Sequence, residues 1–297
     1  MKILLIGANG QVGWELSRKF RFSLFETIDL DLPDFDITDK AQVHDMVTGA
    51  MPDLVINAAA YTAVDKAESE PELAFAVNRD GSANLASACS EPGIPLIHIS
   101  TDYVFDGSKQ GYYIESDRTA PLNVYGKSKE QGDKAIRQTL RKHIILRTSW
   151  LYGIHGANFV KTMIRLGRER EVIRVVADQR GCPTCASDLA EAILTIAEQM
   201  RKGNKIDWGT YHYCGLGATT WHGFAEAIFR LADFIIPLRV KKVESITTAQ
   251  YPTPARRPLN SAMDCYLITR TFGIQAKPWF ESLAATILLL LTEQHTG

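Results

Sequence analysis

Gly7-Ala8-Asn9-Gly10-Gln11-Val12-Gly13 is the feature that most narrows what this chain can fold into. It follows the run Lys2–Ile6, apolar after its first residue, and opens a segment in which Val12, Leu16 and Phe20 recur at helical spacing. A G-x-x-G-x-x-G string alone is weak evidence, because many loops hold several glycines. Between a strand and a helix it has a specific meaning: the glycines allow a tight turn and let backbone approach a pyrophosphate, whose charge then sits at the helix N-terminus. Gly7 and Gly10 are the residues this reading puts against such a ligand.

The rest of the first half repeats the pattern of short apolar strands and longer helices that makes βαβ units and a parallel sheet. Phe25–Leu30, Leu54–Asn57, Leu96–Ser100 and Ile144–Leu146 read as buried strands. Helices are expected over Ala41–Gly49 with Thr38 or Asp39 as cap, over Glu72–Ser90, and over Ser128–Leu140. The fold class is therefore α/β: a Rossmann-type doubly wound parallel sheet, with a smaller C-terminal substrate-binding lobe. Residues 1–150 form the dinucleotide-binding part and 151–297 mainly the lobe, with some segments returning to the core. Trp150–Phe159, Gln179–Thr184, Tyr211–Trp221 and Tyr251–Ser261 read as site-lining loops, supported by helices near 186–201, 222–233 and 279–293.

Composition excludes several classes. A net charge of -1 gives no basic footprint for nucleic acid. The longest apolar stretch, Leu283–Leu291, is much shorter than the roughly 20 residues of a membrane span and reads as a buried helix. Five scattered cysteines and no leader-like N-terminus point to the cytoplasm.

An acidic residue about 20 positions past the glycine turn holds the adenosine ribose in such folds. Asp29 is the first choice and Asp31 the competitor. Asp36-Ile37 follow at the next strand end and would embrace the adenine, although Asp36 also suits a helix cap with Thr38. No arginine stands ready for a 2′-phosphate, which favours NADH.

Tyr125-Gly126-Lys127-Ser128-Lys129 carries the chemistry. Tyr125 and Lys129 are four apart and share a helix face. A phenol is a poor proton donor at neutral pH, and a nearby ammonium is expected to lower its pKa into the working range. Upstream, Thr101 ends the strand Ile97-His98-Ile99-Ser100 and would hydrogen-bond a carbonyl on whose oxygen charge develops. Glycine turn, strand-end hydroxyl and Y-x-x-x-K in that order are far more specific than any one of them.

On these residues the chain resembles the extended short-chain dehydrogenases, and more narrowly the dTDP-4-dehydrorhamnose reductase family. The resemblance runs through Asn57–Glu68, Ser100–Phe105, Leu122–Lys129, Arg147–Trp150, Tyr251–Pro258 and Asn260-Ser261. It implies an NADPH- or NADH-dependent reduction of the 4-keto group of a dTDP-sugar, dTDP-4-dehydro-L-rhamnose. Tyr125 would donate the proton, Lys129 would tune Tyr125 and hold the cofactor ribose, and Thr101 would position the carbonyl. Gly10, Gln11 and Val12 would contact the pyrophosphate. Asp29, Asp36, Ile37, Ala59, Ala60, Tyr61, Thr62 and the Ile99 backbone would line the rest of the groove. Val64, Asp102, Trp150 and Arg257 would touch the sugar nucleotide. Family members often take either cofactor, so the charge argument for NADH does not settle the choice. The resemblance is compatible with a homodimer.

Other features point less far. Arg256 and Arg257 suit a clamp on the nucleotide diphosphate, although Arg256 is extra to the family pattern and suits a solvated position as well, and Asn158 suits either a ligand contact or a turn. Cys182-Pro183-Thr184-Cys185 with His212 and Cys214 is the one zinc-like set, but nothing in the spacing makes four ligands converge, so no metal is expected. Two other readings stay open: a reductase or epimerase of another nucleotide sugar, and a catalytically silent cofactor-binding subunit, against which the intact Thr101, Tyr125 and Lys129 argue.

Overall fold

The structure, a computed structural model, describes residues 1–292. The first half runs β1 (Lys2–Ile6), α1 (Gln11–Phe20), β2 (Glu26–Leu30), α2 (Lys40–Ala50) and β3 (Leu54–Asn57). Short helices α3 (Val64–Ala67) and α4 (Pro71–Phe75) lead through a π-helical turn (Ala76–Gly81) into α5 (Ser82–Ser90). Then come β4 (Leu96–Thr101), α6 (Val124–Thr139) and β5 (His143–Thr148). The second half adds β6 (Leu151–Tyr152), α7 (Phe159–Glu169), β7 (Val172–Val176), β8 (Arg180–Gly181), β9 (Thr184–Cys185) and α8 (Ala186–Arg201). It ends with β10 (Gly209–His212), β11 (Thr219–Thr220), α9 (Trp221–Asp233), β12 (Lys242–Ile246), α10 (Tyr266–Phe272) and α11 (Trp279–Thr292).

Six strands make the central sheet in the order β2-β1-β3-β4-β5-β10, every pair parallel. Leu4, Ile6, Val55 and Ile145 face a core shared with α2 and α5, through Val43, Val47 and Leu85. Ile3, Leu5, Ile56 and Ile144 face the opposite core, built on Leu16 of α1 and Leu189 and Ile193 of α8. Burial on both faces explains why these strands are apolar without alternation. Each fully buried aliphatic side chain contributes about 1.5–3 kcal/mol before entropy is subtracted. The chain leaves β1 for one edge and then crosses back to β3, so the carboxyl ends of β1 and β3 bound a crevice, the usual ligand position in such sheets. A third core, with Tyr152, Val160, Phe224, Ile228, Leu283 and Ile287, holds the later helices together.

Four sequence expectations need correction. The single helix over Glu72–Ser90 is broken by the π-helical turn, because Asn78 is drawn out of register. Its side chain accepts from the Tyr61 amide and donates to the Tyr61 carbonyl and Ser128 Oγ, at 2.9, 3.1 and 2.9 Å. The helix expected from Ser128 starts earlier, at Val124, because Asn123 caps it by accepting from the Gly126 amide at 2.7 Å. Tyr211 and His212 are not loop but part of β10, where Tyr211 is buried beside β5. The expected C-terminal helix forms, but Leu288 and Leu289 are exposed, and residue 293 lies outside the described residues. Among the described residues no helix is long and apolar enough to cross a membrane.

Candidate active site

Gly7 follows β1 with φ at +81°, the left-handed region that glycine enters without steric cost. A Cβ there would strike the backbone of Ala58 and Ala59, and one at Gly13 would strike the Gly7 carbonyl. The turn is therefore closed to larger residues, and α1 starts just after Gly10 with no side chain capping its amides. That N-terminus is a ready anion site. Beside it runs a groove of about 340 Å³ bounded by Gly7, Gly10, Asp31, Asp36, Ile37, Ala58, Ala59 and Ala60. The glycines and the Ala58–Ala60 run leave room for a nucleotide, so the residues present fit a dinucleotide cofactor.

Two carboxylates border the groove, Asp31 and Asp36, and Asp31 is the one tied to the glycine turn. Its Oδ2 accepts from the Asn9 amide at 2.7 Å. Asp29 is exposed and bonded to Ser17 Oγ on α1 at 2.5 Å, and it does not border the groove. The expected order of Asp29 before Asp31 does not match the geometry, which sets Asp31 at the groove and Asp29 away from it. β2 runs to Leu30, whose carbonyl accepts from the Gly7 and Ala8 amides, so the residue that turns over the glycine loop is the one after it. Asp36 accepts from the Thr38 amide at 2.8 Å, while Asp39 is the cap of α2.

The larger cleft, about 570 Å³, continues from this turn across the carboxyl ends of β3, β4 and β5. Gly10, Gln11, Val12, Ala60, Thr62, Val64 and Ile99 line it, as do Thr101, Asp102, Tyr125, Lys129 and Trp150. Tyr61 is not among the lining residues: its amide is held by Asn78 and its hydroxyl by Glu70 at 2.9 Å. Arg257 also stays out of the cleft, in a bidentate pair with Asp65 at 3.0 and 2.7 Å. Asn158 caps α7 and donates to Gln11 Oε1 at 3.2 Å.

Tyr125 and Lys129 sit in the first two turns of α6, both buried. Gly126 between them is dictated by packing: a Cβ there would collide with the Tyr103 carbonyl. Burial pushes the Tyr125 phenol up to about 12, partly opposed by its hydrogen bond with Thr101. The expectation of a lowered phenol is therefore corrected. Lys129 Nζ donates to the Ile99 carbonyl at 2.7 Å and faces His98 Nε2 at 3.2 Å, and burial lowers it to about 8 although Asp133 pulls it up. Thr101 accepts from the Tyr103 amide at 3.2 Å and donates to Asp102 Oδ1 at 3.1 Å. Burial raises the Asp102 carboxyl to about 7, opposed by hydrogen bonds from Ser261 and Thr101.

At the far wall Trp150, with φ at +47°, stacks on Trp221, ring centroids 3.6 Å apart and planes 6° from parallel. Phe159 leans on Trp221 at 4.7 Å. Trp221 was not singled out in the sequence, since an aromatic opening a helix carries no distinguishing pattern. His98 and Asp133 were also missed; a histidine inside a strand reads as core.

Of the zinc-like set, Cys182 and Cys214 share a small buried cluster and a hydrogen bond, while Cys185 and His212 lie on other partners. Cys185 lies against Thr286, Cys214 against Cys265 at 3.5 Å, and His212 against the Tyr113 carbonyl. Among the described residues no group of three or more ligand-type side chains is placed to hold a metal ion.

The chain matches the family model described as RmlD substrate binding domain over residues 1–291. It is 46% identical to a dTDP-4-dehydrorhamnose reductase of Sinorhizobium fredii, covering 99% of both chains. Its structure is similar to that of a dTDP-4-dehydrorhamnose reductase from Clostridium acetobutylicum, with a TM-score of 0.91 and 41% identity over 98% of this chain and 99% of that one. A Bacillus anthracis dTDP-4-dehydrorhamnose reductase in complex with NADP gives a TM-score of 0.90 and 38% identity over 97% and 99%. Similarity of this degree along the whole chain, in sequence and fold together, means that the chain belongs to the dTDP-4-dehydrorhamnose reductase family.

Proposed function

We propose that the protein reduces the 4-keto group of dTDP-4-dehydro-L-rhamnose to give dTDP-L-rhamnose, using NADPH or NADH. The observation that carries this reading is that Thr101, Tyr125 and Lys129 meet at the floor of one cleft, which runs from the glycine turn to the Trp150 and Trp221 wall. The cofactor, when bound, supplies the hydride. Gly7, Gly10 and the free amides opening α1 would hold its pyrophosphate, Asp31 its adenosine ribose, and Lys129 its nicotinamide ribose.

The remaining chemistry falls to the chain. Tyr125, held near 12 by burial, keeps its proton at neutral pH, the state a donor requires. A developing sugar alkoxide is far more basic than a phenol, so the transfer runs toward the sugar. The hydroxyls of Thr101 and Tyr125 stabilise that oxygen as charge builds on it. Val64, Asp102 and Trp150 would contact the sugar nucleotide. Arg257 reaches a diphosphate in this reading only by exchanging Asp65 for it. Residues up to about 150 would bind the cofactor and the later ones mainly the substrate. A cytoplasmic setting and no nucleic-acid partner accord with five free cysteines and a net charge of -1.

The test is product analysis. Purified protein, reduced cofactor and freshly generated dTDP-4-dehydro-L-rhamnose should yield dTDP-L-rhamnose, and a UDP-4-keto sugar should react more slowly. Faster turnover of the UDP sugar, or bound cofactor with no turnover of either, would overturn the assignment.

A further inference from the structure

Beneath Lys129 lies a set of buried polar groups that the reduction itself does not use. His98 in β4 and Asp133 in α6 are both fully enclosed, and Arg147 of β5 is nearly so. His98 Nε2 stands 3.2 Å from Lys129 Nζ and 3.7 Å from Asp133 Oδ1. Asp133 Oδ2 accepts from Ser100 Oγ at 2.8 Å and lies 3.6 Å from Arg147 Nε, while its Oδ1 has no hydrogen-bond partner among the described residues.

The proton on His98 can be assigned by following donors outward. Asn57 Oδ1 accepts from the Ala59 amide at 3.0 Å, which fixes the orientation of that side-chain amide. Its Nδ2 is therefore the group that faces His98 Nδ1, at 3.1 Å, and it must donate there. With Nδ1 an acceptor, the neutral ring carries its hydrogen on Nε2. The unpaired Asp133 oxygen on that side favours the same tautomer. An N–H then points toward Lys129 Nζ, which also donates to the Ile99 carbonyl. A donor facing an ammonium repels it, whereas an amine offers that donor a lone pair.

We propose that His98 and Asp133 are positioning residues that jointly set the proton affinity of Lys129, His98 lowering it through its Nε2–H and Asp133 raising it through its charge. The inference rests on the reading of Lys129 as part of the catalytic pair. Tyr125 on the same helix and Asp102 at the end of β4 line the cleft with this lysine, and Arg147 faces Asp133 from β5. The π-helical turn packed on α6 presents the neutral Asn78 there. The two settings oppose each other, so they are separable by mutation.

Two measurements test this. In cofactor-free protein labelled with ¹⁵N-histidine, the resonances lost in His98→Gln should report a ring protonated at Nε2 and bare at Nδ1. A ring protonated at Nδ1 would overturn the inference, and this readout needs no turnover, so it stands apart from the assigned reaction. In pH profiles of kcat, the limb lost at high pH as Lys129 gives up its proton should move up by about one pH unit in His98→Leu, which has no donor there, and down by a similar amount in Asp133→Asn. A uniform loss of kcat with the limb unmoved in both variants would assign these residues a structural role only and overturn the proposal. Should either variant fold poorly, the remaining one together with the tautomer still decides.

Discussion

The Asp31 carboxylate accepts the backbone amide of Asn9 at 2.7 Å, fastening the end of β2 to the glycine turn that opens α1. The first prediction follows from this contact. Asp31→Asn should raise KM for NADH about tenfold, the order expected for losing a charge-assisted hydrogen bond, while KM for NADPH changes less, because the carboxylate that repels a 2′-phosphate is gone. Asp29→Asn should leave both within about twofold, since its carboxylate is tied to Ser17 outside the groove. Steady-state kinetics with both cofactors would check this, and equal effects of the two variants would contradict it.

Glycine spacing and strand pattern made the sheet and the cofactor crevice readable from the sequence, because Gly7 and Gly13 answer to backbone geometry that no other residue satisfies. Thr101, Tyr125 and Lys129 were readable because a strand end and one helical turn fix their spacing. Asp29 was preferred over Asp31 because no local signal says where a strand ends to within one residue. The Tyr125 pKa went the other way from expectation because burial, not the neighbouring lysine, dominates it. His98, Asp133 and Trp221 were hidden because their partners lie far away in the chain: Lys129 is 31 residues from His98, and Trp150 comes well before Trp221.

Asp102 gives a pH-dependent prediction about stability. Its folded-state pKa is raised to about 7 by burial, above an unfolded value near 4. Folded protein therefore holds a proton that unfolded protein releases between those pH values. The contribution of Asp102 to stability is full below about pH 4, is lost as pH rises through 7, and is flat above. Asp102→Asn cannot ionise, so its unfolding free energy relative to wild type should rise by roughly 2–4 kcal/mol between about pH 4 and pH 8. Denaturant unfolding at several pH values would measure the difference. A gap that does not change with pH would show that the carboxyl titrates alike in both states.

The Trp150–Trp221 stack predicts a division of effects. Trp221→Ala removes the ring that holds Trp150 against the cleft wall, a contact of the kind worth about 0.5–1.5 kcal/mol. KM for the sugar nucleotide should rise about two- to tenfold, with cofactor affinity and kcat little changed. Substrate saturation curves alongside direct cofactor titration would separate these. A loss confined to kcat would place Trp221 nearer the chemistry than the stack implies.

The central claim is that Tyr125 gives its proton to the 4-oxygen of a dTDP-4-keto sugar. The most direct measurement is the rate of reduced-cofactor oxidation with dTDP-4-dehydro-L-rhamnose, comparing wild type with Tyr125→Phe and with cofactor affinity measured on both. The account predicts rapid oxidation by wild type and a loss of about 10²–10⁴-fold in kcat for the variant, at near-equal cofactor affinity. A variant that turns over at close to the wild-type rate would contradict it.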